Sequence, residues 1–202
     1  MSELYTIGHS THSTEYFIEL LLRHGITAVC DVRSQPYSKF NPQFNRENIQ
    51  RELKRFETGY VFLGRELGPR SDDPACYMDG KVQYRLLAAT DLFQQGLKRL
   101  LKGMQSHRIA IMCAEKDPIM CHRMILVCRH LRREVPEIRH ILEDGGIEDL
   151  TASEKRLLRL LKIPPLQLFD STEDLIIQAY DIQGEKIAHG RPTANSVDNM
   201  ED

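Results

Sequence analysis

Between residues 113 and 123 the chain reads CAEKDPIMCHR, which sets a carboxylate (Glu115), a thiol (Cys121), an imidazole (His122) and a guanidinium (Arg123) within nine residues. Such a set can move protons, hold an anion or supply a nucleophile. Two other stretches carry similar groups. GHSTHS contributes His9, Ser10 and His12, and DVRS contributes Asp31 and Arg33. A histidine at a strand end can act as a general acid or base, or donate to a phosphate. Asp31 can be a nucleophile, a base or the partner of an arginine. Two carboxylates such as Asp31 and Glu115 can divide acid and base roles if their surroundings push their pKa values apart. The candidate catalytic residues are Asp31, Glu115 and His9. The candidate anion contacts are Ser10, Arg33, Arg65, Cys121, His122 and Arg123. The plainer readings are that Ser10 and His12 satisfy a turn, and that Asp31 forms an ion pair with Arg33 or Arg123.

The elements that must position these groups follow from periodicity. Leu4 to Gly8, Ile26 to Val32, Tyr60 to Leu63, Arg108 to Cys113 and Ile138 to Leu142 are short β-prone runs. Between them lie helical patterns: one capped at Ser13 or Thr14, one from Asn45 to about Phe56, one from Tyr84 to Gly103 and one starting at Cys121. Gly64 to Val82 is expected to be irregular. Alternating strands and helices predict an α/β fold, a single three-layer domain with a mainly parallel sheet of about five strands. Residues 1–146 would form this core. Residues 147–190 would be a helical extension packed on it, with one helix opened by a Thr151 capping box and ended at Pro164-Pro165, and a second capped at Ser171. Residues 191–202 read as a polar tail.

Parallel strands put their carboxyl ends on one edge, where ligands bind. His9, Asp31, Arg33, Glu115 and Arg123 are therefore expected around one pocket, with an anion at the start of the Cys121 helix.

Composition narrows the classes. With 202 residues, 28% of them charged, the chain is an ordinary globular sequence, and it has no apolar run of about 18 residues. No membrane partner is expected. The first residues show neither a basic segment nor a long apolar one, so a cytoplasmic location is expected. The net charge of −2 hides a basic centre, with 10 Lys and Arg against 4 Asp and Glu over residues 98–140, and 6 against 13 over residues 143–202. A basic centre suits a phosphorylated small molecule or a nucleic acid, and equally a solvated helix face. The loop at 35–45 interleaves Tyr37, Phe40 and Phe44 with Lys39, Asn41 and Asn45, a pattern that can stack on bases.

Five cysteines in no framework spacing read as reduced thiols. Cys113 and the Cys121-His122 pair are separated by seven residues and lack a C-x2-4-C pair. Cys128 would sit about 10 Å along the helix from Cys121, too far to share an ion. No metal and no cofactor is expected.

TIGHSTHS, DVRSQPYSKFNPQFN, LGRELG and CAEKDPIMCHR, in that order, resemble the domain-of-unknown-function 488 family over roughly Leu4 to Leu142. The resemblance implies a compact α/β domain and assigns no activity. The family pattern after the third strand usually reads LG-x-x-LGG, and here its last position is Pro69. The expected function is an enzyme, a hydrolase or transferase acting on a phosphorylated, nucleotide or nucleic-acid substrate. The alternatives are a non-catalytic nucleotide or nucleic-acid binding module, and a thiol-redox or metal-binding protein.

Overall fold

The computed structural model of the protein describes residues 3–164 and 171–190. Pro165 and the polar segment 191–202 lie outside the described residues. Among the described residues eight strands form in chain order: β1 (Glu3–Gly8), β2 (Ala28–Asp31), β3 (Gly59–Phe62), β4 (Tyr77–Met78), β5 (Lys81–Val82), β6 (Ile109–Cys113), β7 (Glu137–Ile141) and β8 (Ile147–Asp149). Six of them make the central sheet, in the order β3-β2-β6-β1-β7-β8. The first five positions are parallel and β8 returns antiparallel to β7.

The path across the sheet reverses once. From β1 the chain passes to β2 and β3 in one direction, with α1 (Thr14–Arg23) and α2 (Arg46–Arg55) covering one face. From β3 it returns to β6 and β7, and the connecting helices cover the other face. Right-handed crossovers require this change of face when the direction changes. The second face carries α3 (Gly64–Leu67), α4 (Tyr84–Ala88), α5 (Asp91–Gly103), a π-helical stretch (Arg123–Cys128), α6 (Arg129–Leu131), α7 (Leu150–Leu160) and α8 (Thr172–Ile187). Period-2 alternation sorts the strand side chains. In β1, Leu4 faces the second layer while Tyr5 and Ile7 face the first. Leu150, Leu157, Ile176, Ala179 and Tyr180 join the same core cluster as the strands, so α7 and α8 share one core with the sheet.

Several local expectations change. The 84–103 pattern breaks into α4 and α5 because Thr90 turns out of the helix and accepts from the Phe93 amide at 3.2 Å. The irregular stretch holds α3, a 3-10 turn at Pro74–Cys76 and the β4–β5 hairpin. Asn45 does not cap α2, because its side chain accepts from Ser38 N at 2.7 Å instead. The Thr151 capping box does not form, since α7 already begins at Leu150. Ser13 caps α1, and Ser171 with Asp174 completes a capping box on α8. Among the described residues no helix is long and apolar enough to cross a membrane.

Candidate functional site

The reactive residues collect at the carboxyl ends of β1, β2 and β6. Here neighbouring strands send their following segments to opposite faces and a crevice opens between them. Arg33 is its fixed point. Its Nε and Nη2 donate to Asp31 Oδ1 and Oδ2 at 2.9 and 2.6 Å, Nη2 also donates to the Phe44 carbonyl at 2.8 Å, and Nη1 reaches His9 Nε2 at 3.1 Å. Asp31 is fully buried, and its two oxygens accept further from Arg33 N at 3.0 Å and Tyr60 OH at 2.8 Å. All four of its acceptor positions are thus filled.

His9 has its Nδ1 2.9 Å from the Ser10 carbonyl, which makes Nδ1 the protonated nitrogen and Nε2 the acceptor for Arg33. The ring stacks on Phe44 at 4.3 Å. Burial, and then the Arg33 charge, push its pKa down to about 4. His9 and Asp31, expected to act on substrate, are instead sealed around Arg33 and hold it.

The second group is built by the loop after β6. Glu115 Oε2 lies 3.0 Å from both Cys113 Sγ and Cys121 Sγ. His122 Nδ1 faces the same sulfurs at 3.6 and 3.8 Å, while its Nε2 donates to the Val32 carbonyl at 3.0 Å. Burial is the largest influence and works against the Glu115 charge, but the two thiol hydrogen bonds, a backbone hydrogen bond and the nearby His122 together outweigh it and hold the carboxyl down at about 2. Burial raises the Cys121 thiol well above its ordinary range. For His122 burial opposes the charge, and the neighbouring Cys121 and Glu115 more than compensate, raising its pKa.

This loop is pinned to the sheet. His9 N and Ser10 N donate to the carbonyls of Cys113 and Ala114 at 2.8 and 2.9 Å. Gly8 has to be glycine, because a Cβ there would lie 1.9 Å from the Glu115 carbonyl oxygen. Arg123 completes the pinning. It is fully buried, and donates to the carbonyls of Glu115 and Lys116 and to Thr6 Oγ1. The expectation that Arg123 holds an anion is therefore corrected: its guanidinium lies behind the loop, held by backbone oxygens. The chain after Cys121 also forms a π-helix in place of an ordinary helix start, and the Arg123 amide points at Cys121 Sγ at 3.4 Å.

A cavity of about 170 Å³ opens over these groups, lined in part by Arg33, Tyr37, Arg70, Glu115, His122 and His189. That volume suits a phosphate or a similar small group and is well under the ~300 Å³ of sites that engulf a whole ligand. Ser10, Cys121, Arg123 and Arg65 do not line it. Arg65 stands exposed on α3, and the chain beyond Leu67 brings Arg70 to the cavity instead. Arg70 and His189 escaped sequence reasoning. Arg70 follows the departure at Pro69, and His189 reaches the site only because the segment after α8 bonds to β5, with Val82 N donating to His189 O at 3.1 Å. A larger cavity of about 560 Å³ lies between the ends of β6 and β7, but both of its cations are already taken up by carboxylates. Arg156 pairs with Asp117 and Glu148 at 2.8 Å, and Lys116 with Glu143 at 2.9 Å.

No curated protein and no solved structure matches the chain. The sequence model of the domain of unknown function DUF488 matches residues 13–129. It takes in the three motifs that build Arg33, the α3 turn and the Glu115 loop, and it begins where the first motif ends. With more than half of its 202 residues matched in this way, the chain belongs to the DUF488 family.

Proposed function

We propose that the protein is an enzyme of the hydrolase or transferase type that grips its substrate by a phosphate or similarly small anionic group, in the crevice between β2 and β6. The observation that carries this reading is the presence of Arg33 and the ionised Glu115 on the walls of one cavity. Arg33 has four of its five N–H groups bound and cannot swing into solvent. A cation fixed in this way is organised before the anion arrives. Arg70, His122 and His189 add donors around the same space. Glu115 is a poor base at a pKa near 2, so it serves as an acceptor or ligand beside the reacting group, with His122 next to it. The rest of the substrate would extend over the rim. There Tyr37 is 51% exposed, and Phe40, three residues on, is 94% exposed, which favours a nucleotide or nucleic-acid substrate that can stack. Five free cysteines, all buried, support a reducing cytoplasmic setting.

The test is titration with inorganic phosphate and a panel of phosphomonoesters and nucleotides, followed by thermal shift and by turnover. Binding at 100 times the dissociation constant stabilises the fold by about 2.7 kcal/mol. Arg70→Ala should weaken that effect and Arg65→Ala should leave it unchanged. Glu115→Gln should abolish turnover and retain binding. Affinity with no turnover in the wild type would favour the non-catalytic binding module. Absence of any shift at millimolar phosphate would sink the anion site.

A further inference from the structure

We infer that Cys113, Cys121, His122 and Glu115 form a binding site for one thiophilic divalent metal ion of the zinc type. One ligand atom from each residue can be chosen so that all four lie within 4.8 Å of one another. An ion with bonds of about 2.3 Å to sulfur and about 2.0 Å to nitrogen, in tetrahedral geometry, sets sulfur–nitrogen edges of about 3.5 Å. The two observed edges are 3.6 and 3.8 Å. The sulfur–oxygen edges of 3.0 Å would open by about half an ångström around an ion, a small movement for the exposed Glu115 side chain.

Two features beyond proximity point to a ligand. The first is the orientation of His122. Its Nε2 donates to the Val32 carbonyl, so in the neutral ring the lone pair of Nδ1 is aimed at the two sulfurs. A metal-bound histidine is held in this way by its outer nitrogen. The second is that Glu115 turns one oxygen, Oε2, to both sulfurs, so that it and His122 Nδ1 face the same pair of sulfurs. A cation placed among them serves all of these at once. Two thiolates with a nitrogen and an oxygen donor select zinc over calcium or magnesium. Binding displaces the two thiol protons to solvent and leaves two thiolates and a carboxylate around a dipositive ion, one negative charge in excess. Arg33, on the wall it shares with Cys113, stands against that charge, and the Arg123 amide donates to the Cys121 sulfur. The local sequence hides the site because its two sulfur ligands come from opposite ends of a loop rather than from a C-x2-4-C knuckle. Cys128 takes no part.

The inference stands on this geometry and does not depend on the proposed activity. It is tested on the full chain purified without a histidine tag and then incubated with zinc or cobalt(II). The expected result is one zinc per chain by elemental analysis. Cobalt should give thiolate charge-transfer bands together with the visible spectrum of a tetrahedral ion. Cys121→Ser should lose at least about tenfold in zinc affinity, while Cys128→Ser should keep one equivalent. Because Cys121 is buried, Glu115→Gln, at an exposed position, provides a second variant whose fold is checked by circular dichroism. It should weaken zinc binding and keep the cobalt–thiolate bands. Only trace metal in the wild type after reconstitution, or Cys113→Ser and Cys121→Ser binding zinc as the wild type does, would overturn the assignment. Neither readout involves phosphate, so this result and the anion titration can fail independently.

Discussion

Asp31 and Glu115 are both carboxylates just beyond a strand, yet the fold gives them opposite circumstances. Asp31 is enclosed and fully bonded to Arg33 and Tyr60, while Glu115 meets only two thiols and opens on a cavity. Asp31→Asn should therefore destabilise the protein by about 3–5 kcal/mol, because the Arg33 charge is left buried without its counter-charge. Glu115→Gln should cost far less. Urea denaturation of the two variants against the wild type checks this, and equal losses would contradict the division. The sequence shows that both residues lie at strand ends. It does not show which one is sealed, because the seal on Asp31 uses Tyr60 OH from β3, and Arg33 leans on Phe44 from the loop before α2. Arg123 illustrates the same limit. Its position beside His122 suggested a functional cation, and only the folded path of the loop shows that it binds carbonyl oxygens.

The elements were legible where periodicity is strong. All five parallel strands fall within about two residues of their apolar runs; β1, β2 and β6 read most clearly because layers bury them on both faces, whereas β3 lies half-exposed at the edge. The order of the strands was not legible, because adjacency depends on pairings far apart in the chain. The LGRELG motif acquires a physical meaning at this scale. A Cβ on Gly64 would lie 2.0 Å from the Arg33 carbonyl oxygen, so α3 lies directly on the segment that carries Arg33. Gly64→Ala should push that segment away, at a cost of about 1–3 kcal/mol in stability and with weakened phosphate binding. At Gly59 an added Cβ meets its nearest atom at 3.5 Å, so Gly59→Ala should leave phosphate affinity unchanged. Comparing Tm and phosphate affinity in both variants separates close approach from mere loss of a glycine.

For the whole molecule, the buried histidines tie stability to pH. Burial and the nearby arginines push His9 down to about 4 and His140 down to about 3 from an ordinary 6.5. The unfolded chain therefore takes up protons that the folded chain refuses. Stability is full above pH 6.5 and falls as the pH drops towards 4, with each histidine contributing on the order of a few kcal/mol. Unfolding free energies measured in urea from pH 7.5 to 4.5 should fall as the pH drops, and His140→Gln should make that fall shallower. A flat profile across that window would show that the two rings are not held neutral. Long-range closure also explains why part of the site was hidden: α8 is tied to the loop before Cys121 by Gln183, which donates to the Ile119 carbonyl at 2.9 Å, and His189 follows from its far end.

β1 lies in the interior of the sheet, with Leu4 paired to both Ile109 and Ile138. During synthesis this strand emerges well before either of its neighbours and has to wait for more than a hundred residues with both edges unpaired. Its apolar run LYTIG is then a ready partner for another nascent chain. Refolding should be slow for a domain of this size, because the central pairings close long loops, and early chaperone engagement of the first thirty or so residues would protect the sheet that later carries the site.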